Sequence, residues 1–500
     1  MMMSQDSQAV APGEYTQAMS VKPLKRKVRF VHAVLPMALL LVFITFGMIV
    51  GPMVFGLASW PLEFTFLLAA LCTILMLFSL GADFATVQDA IVKRTSTAVP
   101  AILMLMAIGL LIGSWTASGT IPYLVYYGMQ LIDPHWLYLI AFVLTSAFSL
   151  ATGTSWGSAG TIGVVLVAIG AASDANLGML AAAVISGAYF GDKMSPLSDT
   201  TVMASMGARV PIYDHIRSMV NTTGPAYLAA VIVYVVAGIA APSRGADVES
   251  LIRPTVDALG SSFDLSFVVL APLVVVVIGA IWRKPPLPTL LISSAVAAII
   301  AVAMQGFTFT DMVTALINGV TNDILPNEIT NEAGLAIVER GGLYSMASAV
   351  LITLTVFMFI GSMDVIDAVG RIVRTVFAGV RSRPATIIAS LVSSSVVNLS
   401  TSNQYATAFI VGEVFGPKYD EAGIPRKVLS RSIEDYGTAF EPMVPWTTTG
   451  VYMVATLGVA YADYVPYMFM QFGILVMAPL LAITGIGCFY KEARRNATAA

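Results

Sequence analysis

Gly191-Asp192-Lys193-Met194-Ser195-Pro196-Leu197-Ser198-Asp199-Thr200-Thr201 interrupts an apolar segment long enough to cross a bilayer. Glu441-Pro442-Met443-Val444-Pro445-Trp446-Thr447-Thr448 interrupts a second such segment. Proline lacks the N–H that a helix needs and frees a carbonyl, so each stretch predicts a helix with an unwound middle. Carboxylates and hydroxyls beside freed carbonyls make oxygen-rich surroundings for a small cation. A charge at membrane depth costs at least ~2.5–3.5 kcal/mol, so it tends to persist only where it serves a purpose.

Composition sets the class. The 500 residues are 57% hydrophobic and 11% charged, with mean hydropathy +0.83. A soluble domain carries about 25% charged residues, so this chain lacks the polar side chains to cover a water-facing surface. Apolar runs recur from Phe30 to Phe489, as an all-α polytopic membrane protein requires. The short alternating segments of a membrane barrel are missing. A net charge of −3, with no basic tract interleaved with aromatics, gives no reason to expect nucleic acid. Cys72 and Cys488 each lie in an apolar span. They read as packing residues, too few for an iron–sulfur or structural zinc site, and no cofactor is expected.

Fourteen spans are predicted: 30–50, 56–80, 98–117, 135–153, 155–173, 176–208, 218–241, 264–282, 285–305, 346–362, 384–402, 403–418, 426–458 and 464–489. Two of them, 176–208 and 426–458, are too long for one straight crossing and hold the polar stretches at their centres. Residues 1–27, polar and then basic, show no cleavable signal pattern and read as a disordered cytoplasmic extension. Residues 28–490 form the membrane domain, and 491–500 a cytoplasmic tail.

The chain repeats itself. Ile112-Gly113-Ser114 recurs as Ile360-Gly361-Ser362, and Ser149–Trp156 resembles Asn398–Tyr405. Ser195-Pro196 with Thr200-Thr201 resembles Glu441-Pro442 with Thr447-Thr448. This matching sets Glu441 where Ser195 stands in the first half. Loop charges then orient the repeats, because basic loops favour the cytoplasm. The loop after 98–117 has no Lys or Arg, but its counterpart carries Arg371, Arg374, Arg381 and Arg383. The turn at Asp174 has none, but its counterpart carries Lys418, Arg426 and Lys427. Lys93 and Arg94 face an acidic counterpart at 306–345, and Arg209 and Arg217 correspond to Asp463 alone. Each comparison reverses sign. The halves are therefore expected to be inverted, about 56–241 against 285–489, joined by a connector span at 264–282, with both termini cytoplasmic. Arg244 and Arg253 depart from the rule, diluted by Asp247 and Glu249. Inverted repeats with interrupted helices at the midplane are a transporter architecture, with sites between the halves.

Asp192 and Asp199 are the first candidates. A carboxylate out of water can bind a proton or a cation, but not both at once, and that competition is the simplest chemistry that exchanges them. Which of the two is the direct ligand stays open. Lys193 is expected to neutralise a neighbouring carboxylate. Thr154 and Ser155 sit at the polar turn between 135–153 and 155–173, and Asn403 occupies the equivalent turn of the second half. Small and hydroxyl residues there allow a tight helical hairpin with oxygens aimed at a cavity, although they are also ordinary at membrane helix contacts. Glu441, between two prolines, is the acidic candidate of the second half; Glu434 and Asp435 read as a salt bridge with Arg431. Hard oxygen ligands suit Na+.

Other functions fit parts of the pattern. An ion-coupled carrier of a small organic acid or amino acid would use the same scaffold, with Lys193 available to the substrate, but no intramembrane arginine offers a bidentate clamp. Gly153-Thr154-Ser155-Trp156-Gly157 matches G-x-S-x-G, yet a serine nucleophile needs a nearby base. His32, His135 and His215 all lie near span ends, so no enzyme is expected.

Gly191–Thr201 and Glu441–Trp446 resemble the two signatures of NhaC-type Na+/H+ antiporters, in the ion transporter superfamily. The resemblance runs from about Val28 to Tyr490. It implies exchange of Na+ for H+ across the cell membrane of a prokaryote, with lipid and the two ions as partners. Carried over by position, it makes Asp192, Ser195, Ser198, Asp199, Thr200 and Glu441 candidate ion-site residues. The family also includes exchangers of organic acids or amino acids, and a homo-oligomer stays open.

Overall fold

The computed structural model describes residues 24–240, 247–282, 284–330 and 332–490. Most of the predicted extension, the tail from 491 and the loop holding Arg244 lie outside them. The described residues contain helices and turns and no strand. Among the described residues eight helices are long and apolar enough to cross a membrane, or up to ten if each of two bent pairs is one span. The remaining predicted spans are helical too. They fall short because they are short, broken at proline, or loaded with polar groups.

Hydropathy misses the short helices between spans. Phe84–Ser96 carries Asp89, Lys93 and Arg94 and buries only Val87 and Ala90. Its start is fixed by Asp83, whose carboxylate accepts from the Thr86 N–H at 2.8 Å. Thr120–Leu131, Phe309–Ile317 and Ala368–Val376 are similar short segments.

With these included, the two parts of the chain run through the same order of elements, apart from the short helix Glu332–Val338, which has no counterpart in the first part. Leu62–Ser79, Phe84–Ser96, Val99–Ala117, Thr120–Leu131 and Leu137–Thr152 are followed by Ser155–Ala172. In the second half Pro286–Met304, Phe309–Ile317, Ala347–Asp364, Ala368–Val376 and Arg383–Thr401 are followed by Gln404–Glu421. A broken helix and a final long helix then close each half.

Packing is exchanged reciprocally between the halves. Leu62–Ser79 packs on Ala347–Asp364, and its counterpart Pro286–Met304 packs on Val99–Ala117. Phe84–Ser96 also lies on Ala347–Asp364, and Phe309–Ile317 on Val99–Ala117. Both main hydrophobic cores therefore mix the halves. One joins Leu105, Ile108 and Phe142 to Leu290, Ala301 and Met346; the other joins Phe66, Leu77 and Val87 to Phe357, Ile360 and Phe415. A bidentate ion pair adds a polar tie, Arg94 Nε and Nη2 donating to Asp364 at 2.6 and 2.9 Å. Near the centre Gly207 meets Gly412 backbone to backbone; a Cβ on Gly412 would stand 2.2 Å from the Gly207 carbonyl oxygen. Only glycine permits that approach.

Candidate functional site

The first long segment breaks where the sequence placed the break. Leu177–Met194 ends before Ser195-Pro196-Leu197, and a new helix, Asp199–Ala208, begins under Ser198, whose hydroxyl accepts from the Thr201 N–H at 3.4 Å. The Thr201 hydroxyl donates back to the carbonyls of Asp192 and Lys193 at 3.1 and 3.4 Å. In the second segment Arg426–Ile433 passes through a wide turn at Glu434–Thr438 and a tight one at Glu441–Met443. Thr447 then caps Thr448–Leu457, accepting from the Gly450 N–H at 3.0 Å.

Each hairpin tip docks on the break of its own half. Gly153 turns the first hairpin at φ +69°, and Ser402 turns the second at φ +46°. Thr154 and Asn403 follow as caps, accepting from the N–H of Gly157 at 3.2 Å and of Ala406 at 2.9 Å. The second tip is tied by the Ser402 hydroxyl, which accepts from the Thr448 N–H at 2.7 Å.

These landmarks correct the register of the repeat. Gly153 pairs with Ser402, Thr154 with Asn403, Pro196 with Pro445 and Ser198 with Thr447, all at one constant offset in number. At that offset the counterpart of Glu441 is Asp192, not Ser195. The sequence match was drawn astray by two Xaa-Pro pairs, Ser195-Pro196 and Glu441-Pro442. The prolines that share a structural role are Pro196 and Pro445.

Asp192 is 3% exposed. Its Oδ2 accepts from the Ser155 hydroxyl at 2.8 Å, and its Oδ1 has no hydrogen-bond partner among the described residues. Ser198 faces the same carboxylate. Glu441 is buried, with Oε1 accepting from Asn398 Nδ2 at 2.6 Å and Oε2 from the Thr449 hydroxyl at 2.9 Å. Trp156 bridges the two centres. It follows Ser155 in the chain, its Nε1 donates to Thr449 Oγ1 at 3.3 Å, and its ring stacks on Tyr452 at 4.2 Å.

Several candidates take other places. Asp199 is exposed, accepting from its neighbour's N–H (Thr200) and from the Tyr405 hydroxyl at 3.1 Å. Ser195 is buried, but its hydroxyl accepts from the Leu197 N–H within the turn. Thr154 and Asn403 spend their side-chain oxygens on caps. Lys193 reaches across to the other broken helix, donating to the Glu434 carbonyl at 3.0 Å and pairing with Asp435 Oδ1 at 3.4 Å. Arg431 donates instead to the carbonyl of Gly487 at 2.9 Å.

Sequence reading passed over Asn398 and Thr449. Asn398 lay in a quoted repeat match, and Thr449 is Thr200 shifted by the corrected offset; that offset was the signal. Ser155 of the G-x-S-x-G match bonds to Asp192. His32 and His135 bond locally to Arg29 and Asp133, and the ring nitrogens of buried His215 have no hydrogen-bond partner among the described residues. Cys72 and Cys488 are both free thiols.

A profile of the Na+/H+ antiporter family matches residues 1–211 and 187–486. The chain belongs to the Na+/H+ antiporter family. An uncharacterized Na+/H+ antiporter of Haemophilus influenzae is 35% identical over 433 residues, covering 87% of this chain and 92% of that protein. The Na+/H+ antiporter NhaC of Bacillus subtilis is 36% identical, covering 81% and 87%. The malate-2H+/Na+-lactate antiporter of the same organism is 32% identical, covering 86% and 91%. Membership in an antiporter family makes this a multi-pass membrane transporter.

Proposed function

We propose that the chain exchanges Na+ for H+ across the cell membrane by alternating access, with the two ions competing for Asp192. The observation that carries this reading is the state of that side chain. Asp192 is buried at a helix break, held on one oxygen by Ser155, and its other oxygen has no hydrogen-bond partner among the described residues. Leaving a buried carboxylate oxygen unsatisfied is costly. A dehydrated Na+ or a proton would satisfy it. Asp199, exposed at the rim, would attract cations rather than hold them.

Charge balance supports the same reading. Among the described residues the buried carboxylates are Asp192, Glu434, Asp435 and Glu441, against the cations Lys193 and Arg431. The excess negative charge, out of water, calls for protons or monovalent cations. Glu441, the counterpart of Asp192, is the second group able to take one.

The reciprocal packing of like elements supports the inverted repeats, about 56–241 and 285–489, rocking about the central site with both termini cytoplasmic. Basic and acidic loops reverse between the halves as that arrangement needs.

Exchange of an organic acid is the second reading, favoured by the malate-2H+/Na+-lactate relative. Against it, Lys193 is committed to Asp435 and the Glu434 carbonyl, which leaves it unavailable to a substrate carboxylate. Proteoliposomes carrying a pH dye separate the two. Na+, Li+, K+, malate, lactate and basic amino acids are added in turn. A pH response to Na+ alone supports the first reading; a response that requires an organic solute replaces it with the second.

A further inference from the structure

Trp156 ties the first hairpin tip to the second half of the chain through three contacts. Its Nε1 donates to Thr449 Oγ1 at 3.3 Å. Its ring lies 4.2 Å from that of Tyr452, with the two planes 14° apart. Its carbonyl accepts from the Tyr452 hydroxyl at 2.7 Å. Thr449 and Tyr452 are both buried, and both belong to Thr448–Leu457. One helix of the opposite half therefore holds the indole at its face, its edge and its backbone. The residue before Trp156 is Ser155, whose hydroxyl donates to Asp192 Oδ2 at 2.8 Å.

Apolar packing accounts for the stack but not for the two hydrogen bonds, which also fix the rotation of the ring and the place of the backbone. Nor does the hairpin fold require such a clamp. At the corrected offset the counterparts of Trp156, Thr449 and Tyr452 are Tyr405, Thr200 and Met203. Met203 has no hydroxyl to donate, and the Tyr405 hydroxyl goes to Asp199 at 3.1 Å. The clamp belongs to the Asp192 half alone.

We propose that Trp156 is a positioning residue that sets the cation selectivity of the Asp192 site by fixing where Ser155 stands. The proposal rests on the Asp192 reading above. The Ser155 hydroxyl gives its proton to Asp192 and keeps lone pairs for a cation. A site separates cations of equal charge by size only if its oxygens hold their spacing when a smaller ion enters. The place of the Ser155 oxygen follows its backbone, and that backbone is anchored one residue further on. Residues behind a ligand commonly hold it in this way. With the anchor loosened, Ser155 can follow a smaller ion inward, and discrimination between Na+ and Li+ weakens.

The experiment uses the full-length chain in proteoliposomes and measures 22Na+ uptake driven by an imposed pH gradient, alone and with Li+ as competitor. Trp156→Phe keeps a ring for the stack and removes the N–H. Tyr452→Phe removes only the hydroxyl that meets the Trp156 carbonyl. In each variant the ratio of the Li+ inhibition constant to the Na+ KM is expected to move toward one by about 2- to 10-fold, the scale of one neutral hydrogen bond. The Na+ KM should change more than kcat. A merely structural defect lowers the amount of active protein, and with it the apparent kcat, and leaves the ratio alone. A ratio that stays at the parent's value in Trp156→Phe overturns the proposal; Tyr452→Phe decides in its place if Trp156→Phe fails to fold. Asp192→Asn is measured alongside. If it still takes up 22Na+, the cation-site reading itself fails; if it does not, and the ratio is unmoved, only the role of Trp156 fails.

Discussion

Lys193 Nζ lies 3.4 Å from Asp435 Oδ1, with both side chains fully buried, across 242 positions of sequence. The pair joins the end of the first broken helix to the wide turn of the second. It is a direct polar tie between the two broken helices. Removing one partner would leave an uncompensated charge in the interior, a loss of roughly 3–5 kcal/mol.

Lys193→Met is therefore expected to destabilise the detergent-solubilised protein by about that amount, seen as a lowered midpoint in thermal unfolding. Lys193→Met combined with Asp435→Leu should recover a large part of the loss. A double variant as unstable as the sum of the two singles would show that the residues do not interact.

Asp192→Asn is expected to abolish Na+-driven proton movement while the protein still inserts and elutes as a single species. Asp199→Asn should keep a substantial share, because Asp199 is exposed and bonds to Thr200 and Tyr405. Equal loss in both variants would move the ligand role to the pair.

Competition at one carboxylate fixes the sign of the pH effect. Below the pKa of that group each unit of acidification removes about nine-tenths of the ionised form, so the apparent KM for Na+ should rise ~10-fold per unit. Above it the KM should become flat. A Na+ titration of exchange at several pH values reads this directly, and a KM unchanged throughout would mean that the proton binds elsewhere.

Gly153→Ala should impair exchange through geometry alone. The residue holds φ +69°, and a Cβ would stand 2.8 Å from the carbonyl carbon of Leu197 at the break. The left-handed conformation costs a side chain about 1–2 kcal/mol, and the clash would push the hairpin tip, and Ser155 with it, away from Asp192. The expected outcome is a raised KM for Na+ with the family fold retained by circular dichroism. An unchanged KM would show that the tip does not position Ser155.

Much of the fold was legible because its determinants are local. Apolar runs near a bilayer's thickness, and Pro196 and Pro445 within them, dictate helices and breaks without reference to any neighbour. The amphipathic helices such as Phe84–Ser96 escaped because their mixed composition resembles a loop. The side-chain oxygens of Thr154 and Asn403 mark them as candidate ligands in the sequence. The same chemistry makes Thr and Asn good helix caps, and composition cannot distinguish a cap from a ligand.

The sequence by itself determined a helical membrane protein with two interrupted segments and a carboxylate in each, since hydropathy and proline geometry act over a few residues. Only the tertiary structure decided that Asp192 matches Glu441, that Lys193 belongs to Asp435, and that Asp192 is enclosed where Asp199 is not. Those relationships join residues that the chain separates by up to 249 positions. They depend on which helices pack together, and so on contacts that no single stretch of sequence contains.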